Sequence, residues 1–123
     1  VKLQQIPTGK GEQVLLVDDD ELVLDSVGYM LDRLGYSVTA KSDPLEALDV
    51  IKASPDIFEA IVTDFTMPNM TGVQLVKEVH ALKPELPVVL MTGKTDLLEE
   101  IELTSIGKPF RVMELATTLS RAL

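Results

Sequence analysis

Five polar residues of the sequence stand at the ends of short apolar runs, and their types are those of a site for phosphate chemistry. They are Asp18, Asp19, Asp64, Thr92 and Lys108. Three carboxylates held close together would raise one another's pKa by repulsion, which a hard divalent cation relieves. An incomplete set of oxygen ligands suits Mg²⁺, because this ion keeps several waters and binds substrate phosphate oxygens. The residue types therefore predict a magnesium site formed by the aspartates.

The same residues predict a reaction. Asp64 is a competent nucleophile, because carboxylates form aspartyl-phosphate intermediates. Lys108 would bring a positive charge to an incoming phosphoryl group, and Thr92 would donate a hydrogen bond from its hydroxyl. Positioning and charge neutralisation are most of what phosphoryl transfer requires of a protein. We therefore expect Asp64 to accept a phosphoryl group.

The apolar runs before these residues have the length of buried strands, and they lack the alternation of a half-exposed sheet. Helical segments separate them, with Gly35 as the stop of the first helix, Asp43-Pro44 as the start of the second and Thr71 as the cap of the third. This order predicts a doubly wound, five-stranded parallel α/β sheet, whose carboxyl edge gathers the polar residues. The predicted strands are 14–17, 37–40, 60–63, 87–91 and 105–107.

The helical spacing of apolar residues also predicts which side chains face the core. The expected set is Val23, Val27, Met30, Leu31 and Leu34 in the first helix, Leu45, Leu48 and Ile51 in the second, Val73, Val76 and Val79 in the third, and Val112, Leu115, Ala116 and Leu119 in the last.

Composition limits the classes of protein. The 123 residues suit one domain, which we place at 12–123 after a linker or tail at 1–11. The net charge of −9 repels phosphate backbones and argues against nucleic-acid binding by this domain. No apolar run approaches the roughly 18 residues of a membrane span, and no secretory segment begins the chain. The absence of cysteine fits a reducing compartment, and we expect a cytoplasmic domain.

Four motifs of the sequence resemble those of the receiver domains of two-component response regulators, and the likeness covers 13–123. They are Val17-Asp18-Asp19, Asp64-Phe65-Thr66-Met67-Pro68 with Gly72, Met91-Thr92-Gly93 and Lys108-Pro109-Phe110. The stretches 7–12 and 67–72 look most like a receiver at the C-terminus of a hybrid histidine kinase.

The resemblance implies a flavodoxin-like fold and a role for each residue. Asp64 would take its phosphoryl group from a histidine kinase or a histidine phosphotransfer protein. Asp19 and Asp64 would ligate Mg²⁺ directly, Asp18 would assist through water, and Thr66 would contribute its main-chain carbonyl. Thr92 would be the switch hydroxyl, and Lys108 would pair with the phosphoryl group.

Two features depart from the family's pattern. Ser105 occupies a position, three before the lysine, where the family usually has an aromatic residue. Lys108 follows Thr92 by sixteen positions, which is roughly six residues, or about two helical turns, fewer than the family has there. The sequence therefore predicts a shortened fourth-helix region at 95–104 and an altered output surface.

Other interpretations stay open. The domain could act as a receiver-like interaction module without phosphate, or as a phosphohydrolase with an aspartate nucleophile. The run Asp18-Asp19-Asp20-Glu21 could simply be an acidic helix start that favours the helix dipole. His80 is expected to be a solvated or half-buried helix residue far from the aspartates, and the sequence leaves the oligomeric state open.

Overall fold

A single parallel sheet forms the centre of the molecule. The computed structural model describes residues 7–93, 105–108 and 110–123. Five strands lie in the order β2-β1-β3-β4-β5, all parallel to their neighbours. They are β1 (Gln13–Val17), β2 (Ser37–Lys41), β3 (Ala60–Asp64), β4 (Val88–Thr92) and β5 (Ser105–Gly107). The predicted strands and the predicted doubly wound architecture are confirmed.

Four helices of the described part of the chain cover the two faces of the sheet. They are α1 (Glu21–Arg33), α2 (Pro44–Ala53), α3 (Gly72–Leu82) and α4 (Val112–Ala122). Val14 and Leu16 of β1 pack with α1 and α4, whereas Leu15 and Val17 pack with α2 and α3. Because successive strand residues point to opposite faces, a strand covered on both sides must be apolar throughout.

Local capping sets where the helices begin. Asp20, Asp43 and Thr71 each accept a main-chain hydrogen bond from the first turn of α1, α2 and α3. Thr71 and Gln74 form a reciprocal capping box. These side chains satisfy amide groups that the helix itself leaves without partners, so α2 and α3 start where the sequence predicts.

The turn after α1 is closed by Gly35. Its φ of +96° lies in the left-handed region, which glycine adopts without steric cost. The Tyr36 amide donates to the Leu31 carbonyl and the Gly35 amide donates to the Asp32 carbonyl, which is the pattern of a Schellman motif. The prediction of Gly35 as the helix stop is confirmed.

One prediction of helix burial is wrong. Leu45 is 45% exposed, and Ala47 is buried in its place. The inward stripe of α2 contains Ala47, Leu48 and Ile51, so its centre is rotated from the predicted face by about 50°, half of the roughly 100° that separates successive residues. In the third helix, Val76 and Val79 are buried as predicted, Val73 is half-buried and packs on the core, and Leu75 joins the buried stripe.

Part of the segment predicted to be a linker lies against the domain. The amide of Gly9 donates to the Leu34 carbonyl at 2.6 Å, and the amide of Gly11 donates to the Gly35 carbonyl at 2.8 Å. A Cβ on Gly9 would lie 2.6 Å from the ring of Tyr36. The domain boundary at residue 12 stays a prediction.

The predicted shortening at 95–104 falls outside the described residues. Within those that are described, no helix combines the length and the apolar character needed to cross a bilayer.

Candidate functional site

The carboxyl edge of the sheet brings the predicted polar residues together. Asp18 directly follows β1, Asp64 ends β3, Thr92 ends β4 and Lys108 directly follows β5. These four strands are neighbours in the sheet. The connections of β1 and β3 leave toward opposite faces, so the site lies at the topological switch point, where ligands of such sheets bind.

Lys108 bridges two aspartates at the centre of this edge. Its Nζ donates to Asp18 Oδ2 at 3.1 Å and to Asp64 Oδ1 at 3.0 Å. The Asp18 side chain is completely buried, and that of Asp64 is 13% exposed. Asp18 Oδ1 accepts from the amide of Asp20 at 2.9 Å. A buried carboxylate without such partners would be strongly destabilising, so the lysine is part of what allows Asp18 to lie in the interior.

A third carboxylate completes an acidic cluster with these two. One carboxylate oxygen from each of Asp18, Asp19 and Asp64 lies within 4.8 Å of the others. Asp19 is exposed, whereas the other two approach the cluster from inside. The donors are all hard oxygens and are too few for a closed cage, which fits Mg²⁺ with several waters in its coordination shell.

Burial and charge oppose each other at Asp64. Desolvation raises the pKa of the Asp64 carboxyl, the negative charge of Asp18 raises it further, and the hydrogen bonds from Lys108 and from the Phe65 amide lower it. The net shift is upward. Burial and the neighbouring carboxylate therefore outweigh the hydrogen bonds from Lys108 and Phe65, and a bound cation would favour the ionised form of Asp64.

The pKa of Lys108 is raised. Burial alone would lower it, but the hydrogen bonds and charges of Asp64 and Asp18 together outweigh that effect. Lys108 therefore remains a cation at neutral pH, and its side chain is 27% exposed at the surface.

The loop after β3 fixes the orientation of the Asp64 carboxylate. The Phe65 amide donates to Asp64 Oδ1 at 3.0 Å and to the Met91 carbonyl at 2.9 Å. Asp64 Oδ1 therefore accepts from both Lys108 and Phe65. Thr66 follows on the exposed side of this loop, and Met67 is buried beneath it.

Thr92 lies in the same edge and is almost completely buried. Its carbonyl accepts the amide of Lys108 at 2.6 Å, so the two predicted residues are joined through the main chain. Ser105 lies on β5, where it pairs in register with Leu90 of β4, and it is half-buried.

His80 lies outside the cluster, as predicted. It is half-buried on α3, where its Nε2 donates to the Leu86 carbonyl at 3.0 Å. The run Asp18-Asp19-Asp20-Glu21 divides between the two interpretations. Asp20 caps α1, as an acidic helix start would, whereas Asp18 and Asp19 belong to the acidic cluster.

The structure adds two features that the sequence interpretation missed. The first is the contact between Lys108 and Asp18, ninety positions apart in the chain. The second is an apolar cavity of about 470 Å³ beside Lys108. It is lined by Leu22, Val23, Ser26, Val27, Met30, Lys108 and Phe110. The sequence signal for this surface is Leu22, an apolar residue outside the apolar stripe of α1, and in the structure it is 77% exposed.

Comparisons with known proteins give the family. The family model described as response regulator receiver domain matches residues 14–119. The transcriptional regulatory protein FixJ of Bradyrhizobium diazoefficiens is 30% identical over 122 residues, covering 94% of this chain and 58% of FixJ. The chain spans only 14–58% of the length of curated relatives such as FixJ.

Solved structures that resemble this chain lead to the same family. The chemotaxis protein CheY4 of Vibrio cholerae is 30% identical with a TM-score of 0.81, covering 92% of this chain and 99% of that one. The receiver domain of the sensor histidine kinase PA1611 from Pseudomonas aeruginosa PAO1, solved with magnesium in its active-site cleft, is 27% identical with a TM-score of 0.80, covering 90% and 96%. From its fold, its site and these matches, this chain belongs to the family of response regulator receiver domains.

Proposed function

We propose that this receiver domain is a phosphoacceptor whose Asp64 takes a phosphoryl group from a phosphohistidine of a histidine kinase or a histidine phosphotransfer protein. The observation that carries the proposal is the bridge from Lys108 to Asp18 and Asp64 beside a third carboxylate. A cationic lysine within hydrogen-bond reach of a nucleophilic carboxylate is what transfer of an anionic group requires. The domain would act in the cytoplasm and pass on a signal without turning over a metabolite.

The reaction makes one bond and breaks one. An oxygen of the Asp64 carboxylate forms a bond to phosphorus, the phosphorus–nitrogen bond to the donor imidazole breaks, and its electron pair stays on the imidazole. Asp64 Oδ1 is engaged by Lys108 and the Phe65 amide. We therefore assign Oδ2 as the attacking oxygen. The product is an acyl phosphate.

Lys108 and Thr92 would hold the transferred group. The ammonium of Lys108 exchanges a carboxylate partner for a phosphoryl oxygen, and its 27% exposure gives it room to do so. Thr92, joined to Lys108 through the main chain, would donate its hydroxyl to another phosphoryl oxygen. This step would be the switch between the two states of the domain.

Mg²⁺ fits the cluster by the chemistry of its donors. We propose that Asp19 and Asp64 ligate the ion directly, that Asp18 acts through a water, and that the main-chain carbonyl of Thr66 is a further ligand. The bound ion supplies charge neutralisation between carboxylates and phosphoryl oxygens. Magnesium in the active-site cleft of the PA1611 receiver supports a magnesium site at this edge of the sheet.

The experiment uses acetyl phosphate with Mg²⁺ as a small phosphodonor. Intact-mass spectrometry should detect one added phosphoryl group on the unsubstituted protein, removable by hydroxylamine as an acyl phosphate is. Asp64→Asn should remain unmodified. Asp49→Asn, at an exposed position of α2, is the matched control and should be modified like the parent.

Three results would contradict the proposal. A phosphoryl group on His80 or on a serine would mean that Asp64 is not the acceptor. Steady turnover of a phosphomonoester in the same buffer would favour a phosphohydrolase. An unmodified parent protein would favour a receiver-like module that acts without phosphate.

A further inference from the structure

We propose that Gly72, the first residue of α3, is a positioning residue that holds the Asp64 carboxylate in place through the main chain of Phe65. This inference rests on the proposed function of Asp64. Gly72 touches no reacting atom, so its effect would be transmitted entirely by the loop between β3 and α3.

The first observation is steric. A Cβ built on Gly72 would lie 2.4 Å from the carbonyl oxygen of Asp64, 2.8 Å from Cδ2 of Leu90 and 3.1 Å from Cα of Phe65. Two of these three contacts are with main-chain atoms, which cannot rotate away as a side chain does. The start of α3 is thus packed directly on the residue that would be phosphorylated.

The second observation is a pair of hydrogen bonds that share one residue. The amide of Gly72 donates to the carbonyl of Phe65 at 2.8 Å. The amide of Phe65 donates to Asp64 Oδ1 at 3.0 Å. Phe65 is therefore held at its carbonyl by the helix start, and its amide is shared between the Asp64 carboxylate and the Met91 carbonyl of β4, the latter at 2.9 Å. A shift of Gly72 would pull Phe65 against these two contacts and so disturb the donor that orients Asp64.

The third observation concerns why glycine stands at this position. The glycines with positive φ in the described chain are Gly11 and Gly35, so Gly72 does not need the left-handed conformation that glycine permits. Glycine is also a poor residue for a helix. What position 72 requires is space, and the atom that fills this space is the carbonyl oxygen of Asp64.

The size of the effect follows from the clash. The 2.4 Å contact must lengthen by roughly 0.6 Å to reach 3.0 Å, below which Cβ contacts essentially do not occur, and by roughly 1 Å to reach ordinary van der Waals contact. Gly72→Ala therefore forces a displacement of about 0.6–1 Å between α3 and the end of β3. Misplacement of a reacting group by about 1 Å costs roughly 100-fold in rate. We expect a loss of that order in the limiting rate of phosphorylation.

The test compares Gly72→Ala with Gly28→Ala. A Cβ on Gly28, within α1, meets only Leu16, at 3.8 Å. Both variants are studied well below their unfolding temperatures, at saturating Mg²⁺ and acetyl phosphate, with hydrogen exchange of the Phe65 amide followed by NMR in metal-free buffer. Gly72→Ala should lose roughly 100-fold in limiting rate and exchange the Phe65 amide faster, whereas Gly28→Ala should match the parent in both.

A second variant separates the main-chain clash from the side-chain clash. Leu90→Val removes the Cδ2 atom that a Cβ at position 72 would meet, but leaves the Asp64 carbonyl in place. The double variant Gly72→Ala/Leu90→Val should therefore be as slow as Gly72→Ala. Recovery of the rate in the double variant would overturn the proposal, and so would a rate within twofold of the parent in Gly72→Ala.

The unsubstituted protein provides a measurement that does not depend on either variant folding. The amides of Gly72 and Phe65 should both be protected from hydrogen exchange and should open together. An unprotected Gly72 amide would overturn the inference even if Asp64 is phosphorylated normally. Failure of the proposed function is a different result, because then the parent itself would take no phosphoryl group.

Discussion

Replacing Lys108 by methionine tests whether the lysine stabilises the acidic cluster. The substitution removes two hydrogen bonds, of 3.1 Å to Asp18 and 3.0 Å to Asp64, and leaves a completely buried carboxylate beside one that is 13% exposed. Removing one partner of a buried ion pair costs about 3–5 kcal/mol. We expect about 3 kcal/mol, at the lower end, because the Asp20 amide still donates to Asp18 and because Lys108 is partly exposed to solvent.

A loss of this size should leave the domain folded and its unfolding measurable. A chain of 123 residues has a free energy of unfolding of roughly 6–18 kcal/mol at about 0.05–0.15 kcal/mol per residue. A domain of this size loses about 3–5 °C in Tm for each kcal/mol, so Lys108→Met should lower Tm by about 10–15 °C. Thermal and urea unfolding followed by circular dichroism at pH 7 without metal would measure it.

The loss should depend on pH and on metal. The hydrogen bond and charge of Lys108 lower the pKa of Asp64, against burial, which raises it. Without the lysine that pKa rises further. A carboxyl whose pKa is higher in the folded state than in the unfolded state lowers the free energy of unfolding at pH values above the unfolded-state pKa. It has no such effect once both states are protonated. The deficit of Lys108→Met should therefore be largest at neutral pH and shrink toward pH 4, and Mg²⁺ should restore part of it.

Two further variants make this result interpretable. Lys83→Met removes a surface ion pair of 3.6 Å to Asp56, whose side chain is 95% exposed, and such pairs contribute little. The double variant Lys108→Met/Asp64→Asn should regain part of the loss, because one unpaired carboxylate is gone. A deficit below about 1 kcal/mol at pH 7, within the range of surface pairs, or one that does not change with pH, would refute the reasoning.

Three other predictions concern single side chains. Asp64→Asn should raise Tm at pH 7 in metal-free buffer, because burial and Asp18 raise the pKa of Asp64 and the ionised carboxylate therefore destabilises the fold. The gain in Tm should vanish as the pH falls below about 4, where the parent carboxyl is protonated in both the folded and the unfolded state. A gain that does not change with pH would contradict this. Asp19→Asn should weaken Mg²⁺ binding, followed by NMR titration, with little change in stability, since Asp19 is exposed; unchanged affinity would mean that Asp19 is not a ligand. Thr71→Ala should lower the free energy of unfolding, measured by urea unfolding, by about 1 kcal/mol, because it removes half of the capping box. An unchanged free energy of unfolding would mean that the cap does not stabilise α3.

The positions of the site residues could be predicted because they depend on the ends of strands. In a parallel sheet, a carboxylate that closes β3 and a lysine that follows β5 reach the same edge whatever the loops do. The sequence therefore predicts that Asp64 and Lys108 share this edge without knowledge of any side-chain contact, and the structure has both there. The bridge from Lys108 to Asp18 depends on rotamers and on the depth at which Asp18 is buried, and neither leaves a periodic signal in the sequence.

The wrong assignment of Leu45 has a physical cause of the same kind. Leu45, Leu48 and Ile51 share helical spacing, but so do Ala47, Leu48 and Ile51, and the centres of the two stripes differ by a rotation of only about 50°. Leucine gives a strong hydrophobic signal and alanine a weak one, so the pattern favoured the wrong edge of the stripe. The way α2 docks on the sheet leaves Ala47 completely buried and Leu45 45% exposed, and that is tertiary information.

The contact of Gly9 and Gly11 with the turn after α1 bears on where this domain should be cut. The family match begins at residue 14, so a fragment designed from it would omit both glycines. It would leave the carbonyls of Leu34 and Gly35 without their amide donors and uncover the ring of Tyr36, which is now 4% exposed. Such a fragment would carry an aromatic surface that the longer chain hides, and a tendency to self-associate in it would be a product of the cut.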